Sequence, residues 1–261
     1  MAKIRVDVLL VERGLVESRS QAQRLVMAGK VRVAGQLVHK ASSSFPKNAR
    51  VSLESSPPYV SRGGEKLAAA LSFFDISVEG QICADVGAST GGFSDCLLQH
   101  RANFVYAIDV GKGILHWKLR KHPKIQVMEG TNARYLEKLP QPVGLVTVDV
   151  SFISLKVMLP VIKNWFDSSG GQVIALIKPQ FEVGRKQAAR GKGVIRDPEL
   201  HRQVLQDVLS FAQKGGFSPI GLIKSPLVGP KGNVEYLAHI SFPQNSGPGI
   251  TDLIDPVVTT L

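Results

Sequence analysis

The sequence predicts an α/β protein, with a Rossmann-like domain on a seven-stranded, mostly parallel sheet preceded by a small α+β domain. Three observations carry that reading. The stretch Ile82 to Phe93 reads ICADVGASTGGF. Its apolar run breaks at Asp85 and Gly87, and helical spacing begins with Phe93, Cys96 and Leu97. A strand that passes through a glycine turn into a helix opens a nucleotide-type α/β domain. Short apolar runs then alternate with helical patterns along most of the remaining chain. Residues 4–53, finally, form a basic unit with a periodicity of their own.

A length of 261 residues suits one large domain and a small appendage. The formal charge of +11 points to nucleic acid, or less often to an anionic membrane surface. The two cysteines, Cys83 and Cys96, read as small core residues in a reducing compartment. No apolar run approaches the roughly eighteen residues of a membrane span, and nothing resembles a signal peptide, so a cytoplasmic protein is expected.

Within the front unit, Asp7 is placed to cap a short helix carrying Val8, Leu9 and Val11 that ends at Gly14. Ser18 with Gln21 forms a capping-box pattern, and Ala22, Leu25, Val26 and Gly29 line the helix that follows. Val31, Val33, Leu37, Val51 and Leu53 then supply short strands around a turn at Gly35. The pattern Arg5-Val6-Asp7, Leu10, Gly14-Leu15, Ser18-Arg19, Ala22, Gly29, Val31-Arg32-Val33 and Gly35 resembles the small RNA-binding domain first described in ribosomal small-subunit protein four. That resemblance implies that Arg5, Arg19, Arg24 and Lys30 contact phosphates of structured RNA, and the one-signed charge agrees.

Prolines 57 and 58 mark a linker over residues 57–64, between a front domain of residues 1–56 and a large domain of residues 65–245. Arg62 in this linker joins the candidate RNA contacts. A helix from Glu65 carries Lys66, and strands follow at Ile82–Val86, Phe104–Ile108, Ile125–Met128 and Leu145–Val150. Val173–Ile177 is a fifth strand, closed by Lys178-Pro179, and a glycine- and base-rich loop spans Gln180 to Arg196. Asp197-Pro198 reads as a helix start that runs to Gly215-Gly216. Strands at Ile220–Lys224 and Glu235–Phe242 complete the sheet, and residues 246–261 read as a weakly patterned tail.

Ligands of open α/β sheets gather at the carboxyl ends of the parallel strands, where Asp85, Asp109, Asp149 and Lys178 fall. An acid inside the first turn suits a ligand with an amine better than a pyrophosphate, and Asp109 stands at the distance of a ribose contact. S-adenosylmethionine, an adenosine joined to an amino acid, fits both ends. Thr131 and Asn132 follow the third strand, where an adenine edge could be read. If the last strand runs antiparallel, Glu235 starts on the same edge, and Lys66 can reach it. Two lysines and two carboxylates have a clear use, because a ribose hydroxyl is a poor acid and needs a base. A partly desolvated lysine beside a second lysine yields neutral amine. The scattered histidines show no ligand spacing, so no metal is expected.

Lys66 in SRGGEKL, Asp149 in TVDVSF, Lys178 in LIKPQFE and Glu235 in GNVEYL resemble the Lys-Asp-Lys-Glu tetrad of FtsJ-like ribose 2′-O-methyltransferases. With the front domain, the architecture resembles the TlyA (haemolysin A-like) family of ribosomal RNA methyltransferases. The resemblance implies Lys178 as general base, Lys66 and Glu235 as its positioning partners, and Asp149 as a bridge to the methyl donor. It implies donor contacts from Asp85, Gly87, Ala88, Ser89, Gly91, Gly92, Phe93, Asp109, Val110, Thr131, Asn132 and Asp149, and a cytidine 2′-hydroxyl of ribosomal RNA as acceptor. The proline of the FtsJ glycine loop is absent, since Ser89-Thr90 precedes Gly91-Gly92. A membrane-active haemolysin and an RNA-binding assembly factor with a vestigial enzyme domain are the alternatives. The lack of a spanning segment opposes the first, and the complete tetrad opposes the second.

Overall fold

The structure is a computed structural model that describes residues 3–53, 57–184, 193–229 and 231–259. The chain divides into two compact units, residues 1–58 and 59–261.

The first unit runs β1 (Lys3–Arg5), α1 (Val6–Glu12), α2 (Arg19–Met27), β2 (Val31–Val33), β3 (Gln36–Leu37), β4 (Ser44–Pro46) and β5 (Val51–Leu53). β1 pairs antiparallel with β4, and β3, β2 and β5 form a second antiparallel sheet. Val6, Leu10, Val16, Ala22, Val26, Val31 and Val33 close the core between helices and strands. Ser18 caps α2 by accepting from the Gln21 N–H at 3.2 Å, while the Gln21 side chain reaches back to the Glu17 N–H at 3.0 Å. Asp7 does not cap α1; the cap position is Arg5, and Asp7 lies inside the first turn. Its side chain is turned inward and spent on other partners, which a local capping pattern does not reveal.

The second unit contains α3 (Gly63–Phe73), β6 (Ile82–Val86), α4 (Gly92–Gln99), β7 (Phe104–Asp109), α5 (Trp117–Arg120), β8 (Ile125–Glu129) and β9 (Leu145–Val148). It continues with α6 (Leu155–Ile162), β10 (Gly171–Ile177), α7 (Pro179–Glu182), α8 (Pro198–Lys214), β11 (Ser218–Lys224), β12 (Tyr236–Phe242) and α9 (Ile250–Val258). The strands lie in the order β11-β12-β10-β9-β6-β7-β8. β12 is antiparallel to both neighbours, and the pairs from β10 to β8 are parallel. The chain leaves β6 toward β7 and β8, then returns to β9 on the other side. The carboxyl ends of β6 and β9 therefore flank the topological switch point, where open α/β sheets bind ligands.

Several boundaries differ from the sequence reading. α3 starts at Gly63 rather than Glu65, and Tyr59 and Val60 pack against the core of the second unit. The Val60 N–H donates to Asp95 Oδ2 of α4 at 2.8 Å, and all of the expected linker beyond Pro58 is part of the large unit. β9 stops at Val148, which leaves Asp149 and Val150 in the turn beyond it. Gln180 falls in the one-turn helix α7, not in a loop, and residues 185–192 of that loop lie outside the described residues. The stretch read as a tail carries α9, whose Ile254, Val257 and Val258 are buried. Pro256 interrupts its helical pattern in sequence, and tertiary burial overrides it.

Candidate active site

At the switch point two backbones approach more closely than side chains allow. Gly87 has φ +83°, and a Cβ there would meet the Asp149 carbonyl oxygen at 2.5 Å. Gly91, at φ +97°, precedes α4, and a Cβ there would meet Leu119 at 2.2 Å. Both positions require glycine. Ser89 between them is held at φ +52°, and its N–H donates to Asp109 Oδ2 at 2.8 Å. Asp109 Oδ1 accepts from the Gly111 N–H at 2.7 Å. The end of β7 thus fixes the glycine turn after β6.

Two adjoining cavities open along this edge. The larger, of about 710 Å³, is lined by Gly87, Ala88, Ser89, Gly92 and Phe93 on one side and by Lys66, Asp149, Lys178 and Glu235 on the other. The smaller, of about 410 Å³, is lined by Asp109, Val110, Thr131 and Asn132. Gly87, Ser89, Asp149, Ser151 and Phe152 border both. Gly91 supports the turn against Leu119 and lines neither.

Asp85 departs from the sequence expectation. It is buried beneath the turn, lines neither cavity, and accepts from the Ser94 N–H at 2.8 Å, the Ser94 hydroxyl at 2.7 Å and the Thr147 hydroxyl at 3.2 Å. Burial, with the Asp149 charge adding to it, pushes its carboxyl up to about 7. Asp85 therefore braces the turn from below instead of facing a ligand. An acid before a glycine reads the same in sequence whichever way it points.

The four tetrad positions converge for topological reasons. Lys178 follows the last residue of β10, and Asp149 follows β9 with its N–H donating to the Val86 carbonyl at 2.9 Å. Antiparallel pairing of Ile177 with Tyr236 brings Glu235, one residue before β12, to the same edge. Lys66 precedes Leu67, whose burial among Cys96, Leu97 and Leu237 anchors α3. The Lys66 ammonium lies 2.5 Å from Glu235 Oε2, and Glu235 is only 2% exposed. Lys178 Nζ lies 2.6 Å from Asp149 Oδ1. Asp149 Oδ1 accepts no hydrogen bond, so it holds the ammonium by charge. The aligned acceptor of Lys178 is Ser151 Oγ, at 3.1 Å. Each lysine thus has its own carboxylate, a more neutral arrangement than the lysine-against-lysine contact expected from sequence.

Further residues from the same short motifs as the tetrad join the site. Gln180 Nε2 donates to Glu235 Oε1 at 3.4 Å. Phe152 has φ +65° and is 89% exposed, yet its ring lies 4.7 Å from that of Phe181, which in turn sits 5.8 Å from Lys178 Nζ. A large apolar side chain in a left-handed backbone is locally strained. Glu182 ties the two turns together, accepting from the Ser154 hydroxyl at 2.6 Å and the Leu155 N–H at 2.8 Å. Asn233 accepts from the Ile195 N–H at 3.0 Å and donates to the Gly193 carbonyl at 2.8 Å, fixing the approach to Glu235. In sequence they appear only as neighbours of the tetrad in TVDVSF, LIKPQFE and GNVEYL, with no role of their own.

Of the candidate RNA contacts, Arg62 is exposed and lines the larger cavity. Arg5, Arg19, Arg24 and Lys30 belong to the first unit. Two of these are not free side chains. Arg5 donates to both oxygens of Asp7 at 3.0 and 2.9 Å, and Arg19 and Gln23 each donate to Asp7 Oδ2 at 3.1 Å. Asp7 is buried, and the Arg5 hydrogen bonds hold its carboxyl well below the usual range against that burial. Among the described residues no group of three or more histidines, cysteines or carboxylates is arranged to hold a metal.

A family model described as FtsJ-like methyltransferase matches residues 59–242, and one described as S4 domain matches residues 4–51. The 16S/23S rRNA (cytidine-2′-O)-methyltransferase TlyA of Mycobacterium tuberculosis is 44% identical over 238 residues, covering 90% of this chain and 88% of that one. Hemolysin A of Brachyspira hyodysenteriae is 41% identical over 242 residues, covering 90% of this chain and 99% of that one. A solved structure from Streptococcus thermophilus, named there as a hemolysin, is 43% identical with a TM-score of 0.75 and covers 100% of this chain and 96% of its own. A two-unit chain with this sheet order, this edge and these relatives belongs to the FtsJ-like methyltransferases, in the branch that carries an amino-terminal S4 domain and includes TlyA and Hemolysin A.

Proposed function

We propose that this chain transfers a methyl group from S-adenosylmethionine to the 2′-hydroxyl of a cytidine in ribosomal RNA, with Lys178 as the base. The observation that carries this reading is the pair of ion pairs, Lys66–Glu235 and Lys178–Asp149, on one wall of a cavity that adjoins a second. The smaller cavity suits an adenosine: Asp109 stands ready for ribose hydroxyls, and Val110, Thr131 and Asn132 surround the space beyond. Asp149 borders both cavities, and its carboxylate suits the ammonium of the amino-acid end. When bound, S-adenosylmethionine supplies a sulfonium methyl whose leaving thioether is neutral and requires no Lewis acid.

The chain's own residues do the rest. Lys66 and Glu235 hold the ribose edge of the cavity, and Lys178 takes the hydroxyl proton as the oxygen attacks. Phe152, exposed at the rim, offers a face on which an unstacked base can rest. Arg62 and Lys231 at the same cavity supply cations for flanking phosphates. In the S4 unit Asp7 orients Arg5 and Arg19, whose side chains remain 44% and 55% exposed and so can still meet phosphate. No helix among the described residues is long and apolar enough to cross a membrane, and the hemolysin names of relatives receive no support from that quarter.

Labelled methyl transfer to separated ribosomal subunits, with the modified position mapped, tests the activity. Lys178→Ala is expected to bind donor and RNA but to lose transfer by about 10²–10⁴-fold, the usual worth of a general base. Lys178→Arg is expected to fail too, because a guanidinium stays protonated. A substrate with one 2′-deoxy nucleotide at the mapped position should bind and take up no label. Label on that substrate would move the target from ribose to base.

A further inference from the structure

We propose that Ser151 is a positioning residue that aims the lone pair of Lys178 at the ribose hydroxyl. This inference rests on the reading of Lys178 as the base. Nζ has four tetrahedral directions, one of them taken by Cε. A neutral amine fills two of the remaining three with N–H bonds and one with its lone pair. Which direction receives the lone pair decides whether the group can act as a base, because the hydroxyl hydrogen must lie along it.

The surroundings of Lys178 settle that choice. Ser151 Oγ accepts an N–H at 3.1 Å, which fixes rotation about the Cε–Nζ bond. Asp149 Oδ1 lies 2.6 Å away, and its negative charge repels the lone pair from that side. The direction left over is the one toward the cavity that Lys178 lines. Asp149 Oδ1 makes no hydrogen bond, so its non-directional attraction alone does not hold the amine in one rotation. Ser151 is the directional partner, and among the described residues its hydroxyl has no other hydrogen bond.

The step balances. The 2′-oxygen forms a bond to the donor methyl as the sulfur–methyl bond breaks, leaving a neutral thioether. The hydroxyl proton passes to the Lys178 lone pair, and the ammonium so formed later releases a proton to water. Ser151 gains and loses nothing; it keeps an N–H occupied throughout.

The test compares Ser151→Ala, Ser151→Thr and Lys178→Ala in the full chain, with ribosomal subunits and labelled donor. Ser151→Ala is expected to lower kcat by about 10- to 100-fold, the scale of a misdirected reactive group, with donor affinity and KM for RNA unchanged. Ser151→Thr keeps the hydroxyl and is expected to restore kcat. A wild-type kcat in Ser151→Ala, with Lys178→Ala inactive, overturns this inference and leaves the base assignment standing. A faster Ser151→Ala also overturns it, since the hydroxyl would then be occupying the lone pair. Failure of Ser151→Thr to recover assigns the loss to packing and overturns it as well. An active Lys178→Ala overturns the base reading itself.

Discussion

In the S4 unit Asp7 is shut off from solvent, and Arg5, Arg19 and Gln23 close around it. In the catalytic unit Asp85 is also shut off from solvent, but hydroxyls and one backbone N–H are what reach it. Burial pushes both carboxyls upward. At Asp7 the Arg5 hydrogen bonds lead and reverse the sign, whereas at Asp85 burial wins and the carboxyl rises to about 7. The same residue type, shut off from solvent in both units but buried far more deeply in the catalytic one, therefore becomes a permanent anion in one unit and a group that can titrate in the other. The difference also divides the work. Asp7 orders two cations whose outer faces remain exposed, which is useful for RNA. Asp85 faces inward only and shapes the turn that the donor would occupy.

The largest effect should come from stripping Asp7 of its partners. Arg5→Ala with Arg19→Ala leaves a buried carboxylate without a cation, the most damaging way to break such a pair. The S4 unit is small and has little stability to spare. It is expected to lose protection from hydrogen exchange at 37 °C, while the catalytic unit keeps its own. Adding Asp7→Ala to the double variant should restore much of that protection, because no stranded charge remains. A triple variant less protected than the double one would show that Asp7 serves the fold in some way besides holding arginines.

The contrast at Asp85 appears as pH dependence. Its folded-state value, about 7, lies above the ordinary 3.8, so it favours the folded state most at low pH. That contribution is lost as pH rises from about 3.8 through about 7. Asp7 has the opposite sign: its contribution is present above the ordinary 3.8 and is lost as pH falls below it. Asp85→Asn should therefore gain stability relative to the parent between pH 4 and 7 and show a constant difference above that. Melting curves of the two proteins across this range measure it. A difference independent of pH would mean that Asp85 stays ionised beneath the turn.

These two carboxylates also mark how far the sequence could be read. Strand ends, the Ser18 and Asp197 helix caps and the basic front face are local patterns, and local patterns survive in a linear string. The tetrad was legible because each member sits in a short motif, three of them at strand ends and Lys66 near the start of α3. Partners distant in sequence were not. Arg19 and Gln23 lie twelve and sixteen residues from Asp7, and nothing in the helix pattern joins them. Asp85 was placed at the ligand because its motif is ambiguous about direction. Ser151 and Phe152 lie in a turn and Gln180 in a one-turn helix, segments too short for periodicity to carry information. The helix over Ile250–Val258 was hidden by Pro256, which burial against the rest of the unit tolerates.

The smallest expected effect concerns cations that no carboxylate organises. Arg24 and Lys30 belong to the S4 unit and stand apart from Asp7, so reversing them tests RNA contact without unfolding the Asp7 cluster. Arg24→Glu with Lys30→Glu should flatten the log–log dependence of RNA affinity on salt by roughly 1.5, at about 0.7–0.9 for each lost phosphate contact. In the catalytic unit residues 110–128 carry Lys112, Lys118, Arg120, Lys121 and Lys124 and no acid. Arg120 is held by Glu129 at 2.7 Å, whereas Lys118 and Lys121 are exposed on long, mobile stems. Both lie outside the S4 domain at residues 4–51, the unit expected to carry most of the RNA contact. Lys118→Glu with Lys121→Glu should therefore change the salt slope by less than the S4 pair does, by about 0.7 or below, with kcat at saturating RNA unchanged. A larger slope change from the catalytic-unit pair would reverse the division of labour and make residues 110–128 the principal RNA surface.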